Sequence, residues 1–205
     1  MKRILVFILI TLLILSGSVC SVFAESKVYI VQPGDTMWAI AVRYEIGLDE
    51  LKKANPQIKN AALIYVGQKI TIPEASPLKS LETEVIRLVN VERGKRGLAL
   101  LKENWELSRV ARLKSQDMIN KGYFSHTSPT YGSPFAMMED FGLRFSSAAE
   151  NIAQGQRTPQ EVMNAWMNSA GHKANILSGA YTQIGVGAAK AANGTLYWTQ
   201  MFIRP

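Results

Sequence analysis

The chain has only two histidines, His126 and His172, and each lies in a short polar stretch. His172 falls within NAWMNSAGHKANIL, residues 164–177. Two neutral imidazoles can ligate Zn²⁺ or a similar divalent ion, with a carboxylate or water in the remaining positions. Imidazoles beside carboxylates can instead act as general acid and base. A third alternative, that each ring only forms a structural hydrogen bond, stays open from these residues alone.

Nucleophilic catalysis lacks the motifs that it requires. Neither an HExxH helix nor a GxSxG elbow occurs in residues 25–205, and the single cysteine, Cys20, precedes them. Ser125 adjoins His126, but adjacent residues on an extended segment point to opposite sides. The sequence therefore leaves the question of an enzyme open and favours a non-catalytic protein.

Residues 1–24 have the three parts of an export signal. Lys2 and Arg3 form a basic region, residues 4–15 are apolar, and small residues precede a cleavage site after Ala24. The apolar span is also about long enough to cross a bilayer, so an uncleaved membrane anchor is the alternative. We expect cleavage, because Ser16, Gly17 and Ser18 interrupt the span.

The exported chain has no cysteine and must fold without disulfides. Without Lys2 and Arg3 it has 21 basic and 16 acidic residues, a net charge of +5. That charge suits contact with an anionic envelope polymer and is equally compatible with mere solubility. No Lys/Arg run of the nucleic-acid-binding type is present, so we exclude nucleic acid as a partner.

The pattern of the first unit, residues 27–73, predicts the order β-α-α-β. A β-branched run over 27–31 predicts a strand, and a helix is predicted over 37–41 with Asp35 or Thr36 as its cap. A second helix is predicted from Leu48 or Asp49 to the Asn-Pro pair at 55–56, and a strand over 68–72.

This unit resembles the LysM module through PGDT (33–36), LDEL with ANP (48–51, 54–56) and GQKITIP (67–73). The resemblance implies binding of N-acetylglucosamine-containing glycans, meaning peptidoglycan or chitin. Val66 stands where the family commonly has proline, so the loop that holds the glycan is expected to differ slightly. The implied groove lies between two segments, whose residues are Gly34, Asp35, Thr36 and Met37, and Asn55, Pro56, Gln57 and Ile58.

A Pro-punctuated linker, residues 74–80, leads into a second unit at 81–205. Apolar spacing and capping residues predict four helices: one from a Ser80 cap to Gly94, one through Leu107 and Met118 to Gly122, one from Ser133-Pro134 to Gly142, and one from Thr158 through Asn168. Two strands are predicted around a turn at Asn193-Gly194, over 183–188 and 195–202.

Three glycines carry further predictions. Gly185 and Gly187 indicate that something large packs closely over their strand. Gly171 is expected to permit a sharp turn out of the preceding helix, and Asn175 to fix the returning loop.

Helices combined with an antiparallel sheet predict an α+β domain in layers.

The second unit resembles the bacterial form of the CAP superfamily (cysteine-rich secretory, antigen 5 and pathogenesis-related 1 proteins; SCP-like). The resemblance covers residues 81–205 through five ordered motifs: YFSH (123–126), AENIA (149–153), WMNS (166–169), GHKANIL (171–177) and YWTQMF (197–202). Lys173 stands where arginine is usual, which argues against a bidentate carboxylate contact there.

The resemblance implies an α-β-α sandwich with a cavity lined by His126, Glu150, Glu161 and His172. His126 and His172 would be the metal ligands, with Glu150 or Glu161 beside them. Residues alone also predict structural roles. Glu161 follows Thr158 by three positions and can complete a capping box, and Glu150 can pair with a nearby basic side chain.

Three functions follow as alternatives. The first is an exported, non-catalytic envelope protein, at the cell wall or spore surface, that binds peptidoglycan through LysM and presents the CAP cavity to a lipid, peptide or metal ligand. The second is a metal-dependent hydrolase of wall polymer or peptide. The third is a structural protein of a spore or surface layer. The family is functionally mixed, so resemblance alone does not decide among them.

Overall fold

The computed structural model describes residues 27–74 and 76–205. The predicted export signal, residues 1–24, lies outside the described residues. Within the described ranges, no helix combines the length and the hydropathy that a membrane crossing requires.

The first unit has the predicted order β-α-α-β. Its elements are β1 (Lys27–Ile30), α1 (Met37–Arg43), α2 (Leu48–Lys53) and β2 (Lys69–Ile72). The two strands pair antiparallel, with Lys27 opposite Ile72. Both helices bury one apolar face against this ribbon, forming a core that includes Ile40, Leu51 and Ile70. Because residues 27–73 contain no cysteine, this core replaces the disulfides that stabilise many small domains.

The second unit contains five helices and four strands among the described residues. They are α3 (Lys79–Gly94), β3 (Lys102–Glu103), α4 (Trp105–Lys121), α5 (Pro134–Asp140), β4 (Ser147–Gln154), α6 (Pro159–Met167), α7 (Ala170–Leu177), β5 (Gln183–Lys190) and β6 (Leu196–Arg204). The sheet order is β3-β5-β6-β4, antiparallel except where β3 pairs with β5.

Helices cover both faces of this sheet, which confirms the α-β-α sandwich. Alternate residues of β5, including Ile184 and Val186, pack with α3, α6 and α7. The opposite face packs with α4 and α5 through β6 residues Met201 and Ile203. Gly185 and Gly187 lie directly beneath α4, because a Cβ at either position would meet backbone atoms of that helix. The predicted close approach is confirmed.

Two boundary predictions are wrong. The helix predicted to start after a Ser80 cap instead begins at Lys79, with Leu78 in the cap position and no side-chain cap. Gly171 does not turn the chain out of a helix, since it lies inside α7. Ile176 is fully buried in the sandwich core, and this tertiary contact stabilises a helix where the glycine alone predicts a turn.

Candidate functional site

The loop that carries His126 is organised from α4 by Asp117. This carboxylate accepts hydrogen bonds from the hydroxyls of Tyr123, Ser128 and Thr130, each at 2.7 Å. Burial alone would raise the pKa of Asp117, but these donors hold it below its usual value. A single helical side chain therefore fixes the loop on both sides of His126.

Lys114, one turn before Asp117 on α4, holds the backbone at His126. Its side chain is completely buried, and Nζ donates to the His126 carbonyl at 2.7 Å and to the Tyr123 hydroxyl at 3.2 Å. Burial lowers the pKa of Lys114, while the charges of Glu150 and Asp117 oppose that shift. The sequence offered no direct signal for this residue, because a lysine on an amphipathic helix is normally solvent-exposed.

Glu150 lies on β4 and forms the pair with His126. Its Oε1 is 2.7 Å from His126 Nδ1, whereas Oε2 is buried without a hydrogen-bond partner. Burial raises the pKa of Glu150, and the hydrogen bond from His126 opposes this shift. The same bond raises the pKa of His126 above its ordinary value. The structure thus brings together two of the four predicted cavity residues in direct contact.

His172 lies on α7, and β4 holds its backbone. Asn151 donates to the His172 carbonyl at 3.1 Å, and Asn175 donates to Asn151 Oδ1 at 2.9 Å. Burial, followed by the neighbouring charge of His126, lowers the pKa of His172. Asn175 therefore fixes β4 against α7, rather than a returning loop.

Glu161 adopts the capping role that its spacing predicts. Its backbone N–H donates to Thr158 Oγ1 at 3.2 Å, and its Oε2 accepts from the Arg157 N–H at 2.7 Å. The side chain is exposed, and no hydrogen bond among the described residues joins it to the two histidines or Glu150. Its carboxylate is thus engaged at the start of α6, whereas His126 contacts Glu150 and lies near enough to His172 for its charge to lower the pKa of that residue.

Two clefts flank these histidines. One, of about 510 Å³, is lined by His126 and Glu150 together with Phe135 and Tyr181. The other, of about 350 Å³, is lined by His172 with Phe124 and others. Each combines an imidazole with exposed or half-buried aromatic surface, which suits a ligand with apolar and hydrogen-bonding groups.

The donor set does not form a complete zinc centre. Across residues 27–74 and 76–205, no group of three or more His, Cys, Asp or Glu side chains could hold a metal ion. Glu150 binds the ring of His126, a contact that orients a ligating imidazole without coordinating the metal. A catalytic zinc site uses three protein ligands, and His126 and His172 line two different clefts.

The two histidines should titrate on opposite sides of the ordinary histidine pKa. We expect NMR to show His126 protonating above pH 6.5 and His172 below it. Since the folded pKa of His126 is raised, its stabilising contribution is complete below pH 6.5 and is lost as pH rises through the folded value. Glu150→Gln should lower the pKa of His126. Equal pKa values in the wild type would contradict the contact between His126 and Glu150.

In the first unit, hydrogen bonds within the domain fix the turn that is predicted to bind glycan. Asp35 accepts hydrogen bonds from the Tyr29 hydroxyl, the Gln32 N–H and Arg43. Thr36 Oγ1 caps α1 by accepting from the Ala39 N–H at 3.0 Å. Asp35 and Thr36 thus shape the turn, and their side chains have limited capacity left for a ligand.

The eight predicted glycan residues differ in accessibility. Met37 and Asn55 have buried side chains, so they can offer a ligand only their backbone groups. Gly34, Thr36, Pro56 and Gln57 are exposed, and Ile58 packs partly against the same core as Met37. Residues outside the predicted set add exposed apolar surface: Trp38, Leu63, Tyr65 and Val66. Trp38 could have been found from the helix pattern, since it falls between Met37 and Ile40 and off their buried stripe.

Comparison with known proteins supports the two-part organisation. The LysM domain model matches residues 29–73, and the cysteine-rich secretory protein (CAP) family model matches residues 86–202. The chain is 51% identical over 133 residues to the uncharacterised protein YkwD of Bacillus subtilis, covering 65% of this chain and 51% of YkwD. It is 37% identical over 123 residues to the uncharacterised membrane protein YlbC of the same organism, covering 60% of this chain and 34% of YlbC. The chain thus spans about half or less of these relatives.

Among solved structures, an extracellular SCP-domain protein of Bacillus anthracis aligns with a TM-score of 0.58 and 30% identity, covering 68% of this chain and 47% of that one. An outer surface protein of Borrelia burgdorferi shares the fold, with a TM-score of 0.59 and 21% identity over 63% of this chain and 96% of its own. The family model covers more than half of the sequence. The chain therefore belongs to the cysteine-rich secretory protein (CAP) family, with a LysM domain preceding the CAP domain.

Proposed function

We propose that this protein is an exported cell-envelope protein that binds peptidoglycan through its LysM domain and holds a non-catalytic CAP domain at the wall. The observation that carries the proposal is the LysM match over residues 29–73, which supports binding of N-acetylglucosamine-containing glycans. The exposed residues Gly34, Pro56 and Gln57 supply an accessible surface for this contact. The net positive charge of the chain favours contact with an anionic wall polymer.

The non-catalytic part of the proposal rests on the chemistry around the histidines. Glu150 Oε1 is engaged by His126, and Glu161 is engaged in its helix cap. Glu150 Oε2 has no partner, but the described residues bring no three His, Cys, Asp or Glu side chains together as a metal site would require. A binding role, for a lipid, peptide or metal in the adjoining clefts, fits this arrangement better than hydrolysis.

A spore-surface role is the second candidate, and one comparison favours it. A stretch of 50 residues is 50% identical to the spore coat assembly protein ExsA of Bacillus cereus, covering 24% of this chain and 8% of ExsA. The partner is glycan in the wall proposal and a coat protein in the spore-surface proposal. Sedimentation with purified peptidoglycan distinguishes the two.

We expect the purified protein to sediment with peptidoglycan and Gln57→Ala to bind several-fold more weakly, since an exposed amide is lost from the predicted groove. Gln160→Ala is the matched control. Both glutamines donate from Nε2 to an asparagine Oδ1, but Gln160 lies on α6. Wild-type protein that stays in the supernatant would overturn the proposal. Chelator-sensitive release of wall fragments, abolished by His172→Ala, would instead favour the hydrolase.

A further inference from the structure

A cleft between the two domains has the features of a second binding site. It measures about 580 Å³, larger than the clefts of about 510 and 350 Å³ beside the histidines. Glu50 of α2 lies on the LysM side, Arg112 and Leu113 of α4 on the CAP side, Leu78 in the connecting segment, and Lys190 at the end of β5. Both domains and the segment between them therefore form its walls.

The guanidinium of Arg112 is fixed in this cleft by a buried carboxylate. Arg112 Nε donates to both oxygens of Glu82, at 3.0 and 2.9 Å, and the Glu82 side chain is almost fully buried. This contact leaves Nη1 and Nη2 of Arg112 without hydrogen-bond partners among the described residues, and the side chain retains 16% exposure. A positioned guanidinium with free donors is the group that binds oxyanions in a forked geometry.

The other charges of the cleft are compatible with an incoming anion. Glu50 is bound by Arg109 through two hydrogen bonds, at 2.9 and 2.8 Å, so its negative charge is compensated. Lys190 is exposed and forms no ion pair within residues 27–74 and 76–205. Leu78 and Leu113 add apolar wall beside these cations. The chemistry suits an oxyanion attached to small aliphatic groups.

The cleft lies close to the predicted glycan segment. Glu50 lies on α2, which ends at Lys53, two residues before Asn55 in the predicted glycan segment. The three helical steps from Glu50 to Lys53 rise about 4.5 Å, and the two further steps to Asn55 add at most about 7.6 Å. A polymer bound at that segment therefore has its branches within reach of the cleft. Among wall polymers, peptidoglycan carries short peptides with free carboxylates on its glycan strand.

We propose that the interdomain cleft binds a free carboxylate of the peptide branches of peptidoglycan, with Arg112 and Lys190 as its ligands. The inference rests on the proposed function, because LysM supplies the glycan contact. The LysM domain then binds the glycan strand, while the cleft distinguishes strands that retain their peptides from strands that have lost them.

The test compares two soluble probes by calorimetry: a tetrasaccharide of peptidoglycan with its peptides, and the same tetrasaccharide after amidase removal of the peptides. We expect the full protein to bind the peptide-bearing probe roughly tenfold more tightly, as a charged hydrogen-bonded contact provides. Arg112→Lys, which keeps the charge without the fork, and Lys190→Gln should each reduce that preference. Lys121→Gln, at the exposed end of the same α4, is the control and should preserve it.

The outcomes separate the inference from the proposed function. Equal affinity of the wild type for both probes overturns the peptide site and leaves glycan binding intact. Failure to bind either probe overturns the proposed function itself. Arg112 also binds Glu82, so the Arg112→Lys variant can fail to fold. In that case Lys190→Gln, a substitution at the surface, tests the site. Displacement of the peptide-bearing probe by poly(glycerol phosphate) at equal concentration would assign the cleft to phosphate and overturn the peptide assignment.

Discussion

Replacing Gly187 with alanine is expected to destabilise the CAP domain by about 3 kcal/mol or more, at the upper end of overpacking effects. A Cβ at this position would lie 2.0 Å from Arg112 N and 2.3 Å from Ala111 C, both backbone atoms. Neither atom can move without shifting α4, which Ser115 Oγ also ties to the Gly187 carbonyl at 3.0 Å. The helix must therefore separate from the sheet, and urea denaturation should show a lower midpoint.

Gly171→Ala is the matched control for this change. A Cβ at Gly171 meets nothing within 4 Å, and the residue lies inside α7. Alanine is favoured over glycine in a helix by about 0.5–1 kcal/mol, so this variant should be slightly more stable than the wild type. If Gly187→Ala lost less than about 1 kcal/mol, the close contact of α4 with β5 would be wrong.

The elements that sequence predicted best have local causes. Gly122 ends α4 in a left-handed conformation, with φ of 67°, and Ser133 caps α5 by accepting from the Ala136 N–H at 3.1 Å. The hairpin turn at Asn193-Gly194 also lies where the dipeptide indicates. Capping and turn residues act through hydrogen bonds within a few positions, so a single sequence is sufficient to locate them.

The elements that were not predicted from the sequence depend on contacts between distant segments. Strand β3 is only Lys102–Glu103, and it forms because β5 offers a free edge. The α7 helix depends on burial of Ile176 in the sandwich core. No local pattern encodes either contact, since both require the sheet to exist first.

The residues of the candidate site also include some that were predicted from motifs and others that were not. Motif resemblance predicted a cavity lined by His126, Glu150, Glu161 and His172, of which the structure brings His126 and Glu150 into contact. The buried Lys114 and the pair of Arg109 with Glu50 across the two domains were not predicted. Each depends on a partner 12 or more positions away in the chain, such as Arg109 with Glu50 at 59 positions. Charged residues on amphipathic helices are normally solvent-exposed, and only the folded structure shows which ones are buried or paired.

Asn55→Ala is expected to unfold the LysM domain and thereby abolish glycan binding. The Asn55 side chain is fully buried and donates to the Leu51 and Thr71 carbonyls at 2.8 and 2.7 Å, while its Oδ1 accepts from the Thr71 N–H at 2.8 Å. Alanine leaves three backbone groups unpaired, each costing about 1–3 kcal/mol. A domain of this size has little stability in reserve.

Comparison with Gln57→Ala separates loss of the fold from loss of a ligand contact. For Asn55→Ala, NMR should show collapsed amide signals for residues 27–73 together with loss of peptidoglycan sedimentation, because Asn55 joins α2 to β2. For Gln57→Ala, whose exposed side chain contributes one hydrogen bond, at 3.2 Å, the spectrum should stay folded while binding weakens. A folded Asn55→Ala domain that still fails to bind would instead make Asn55 a direct glycan ligand, contrary to its buried position.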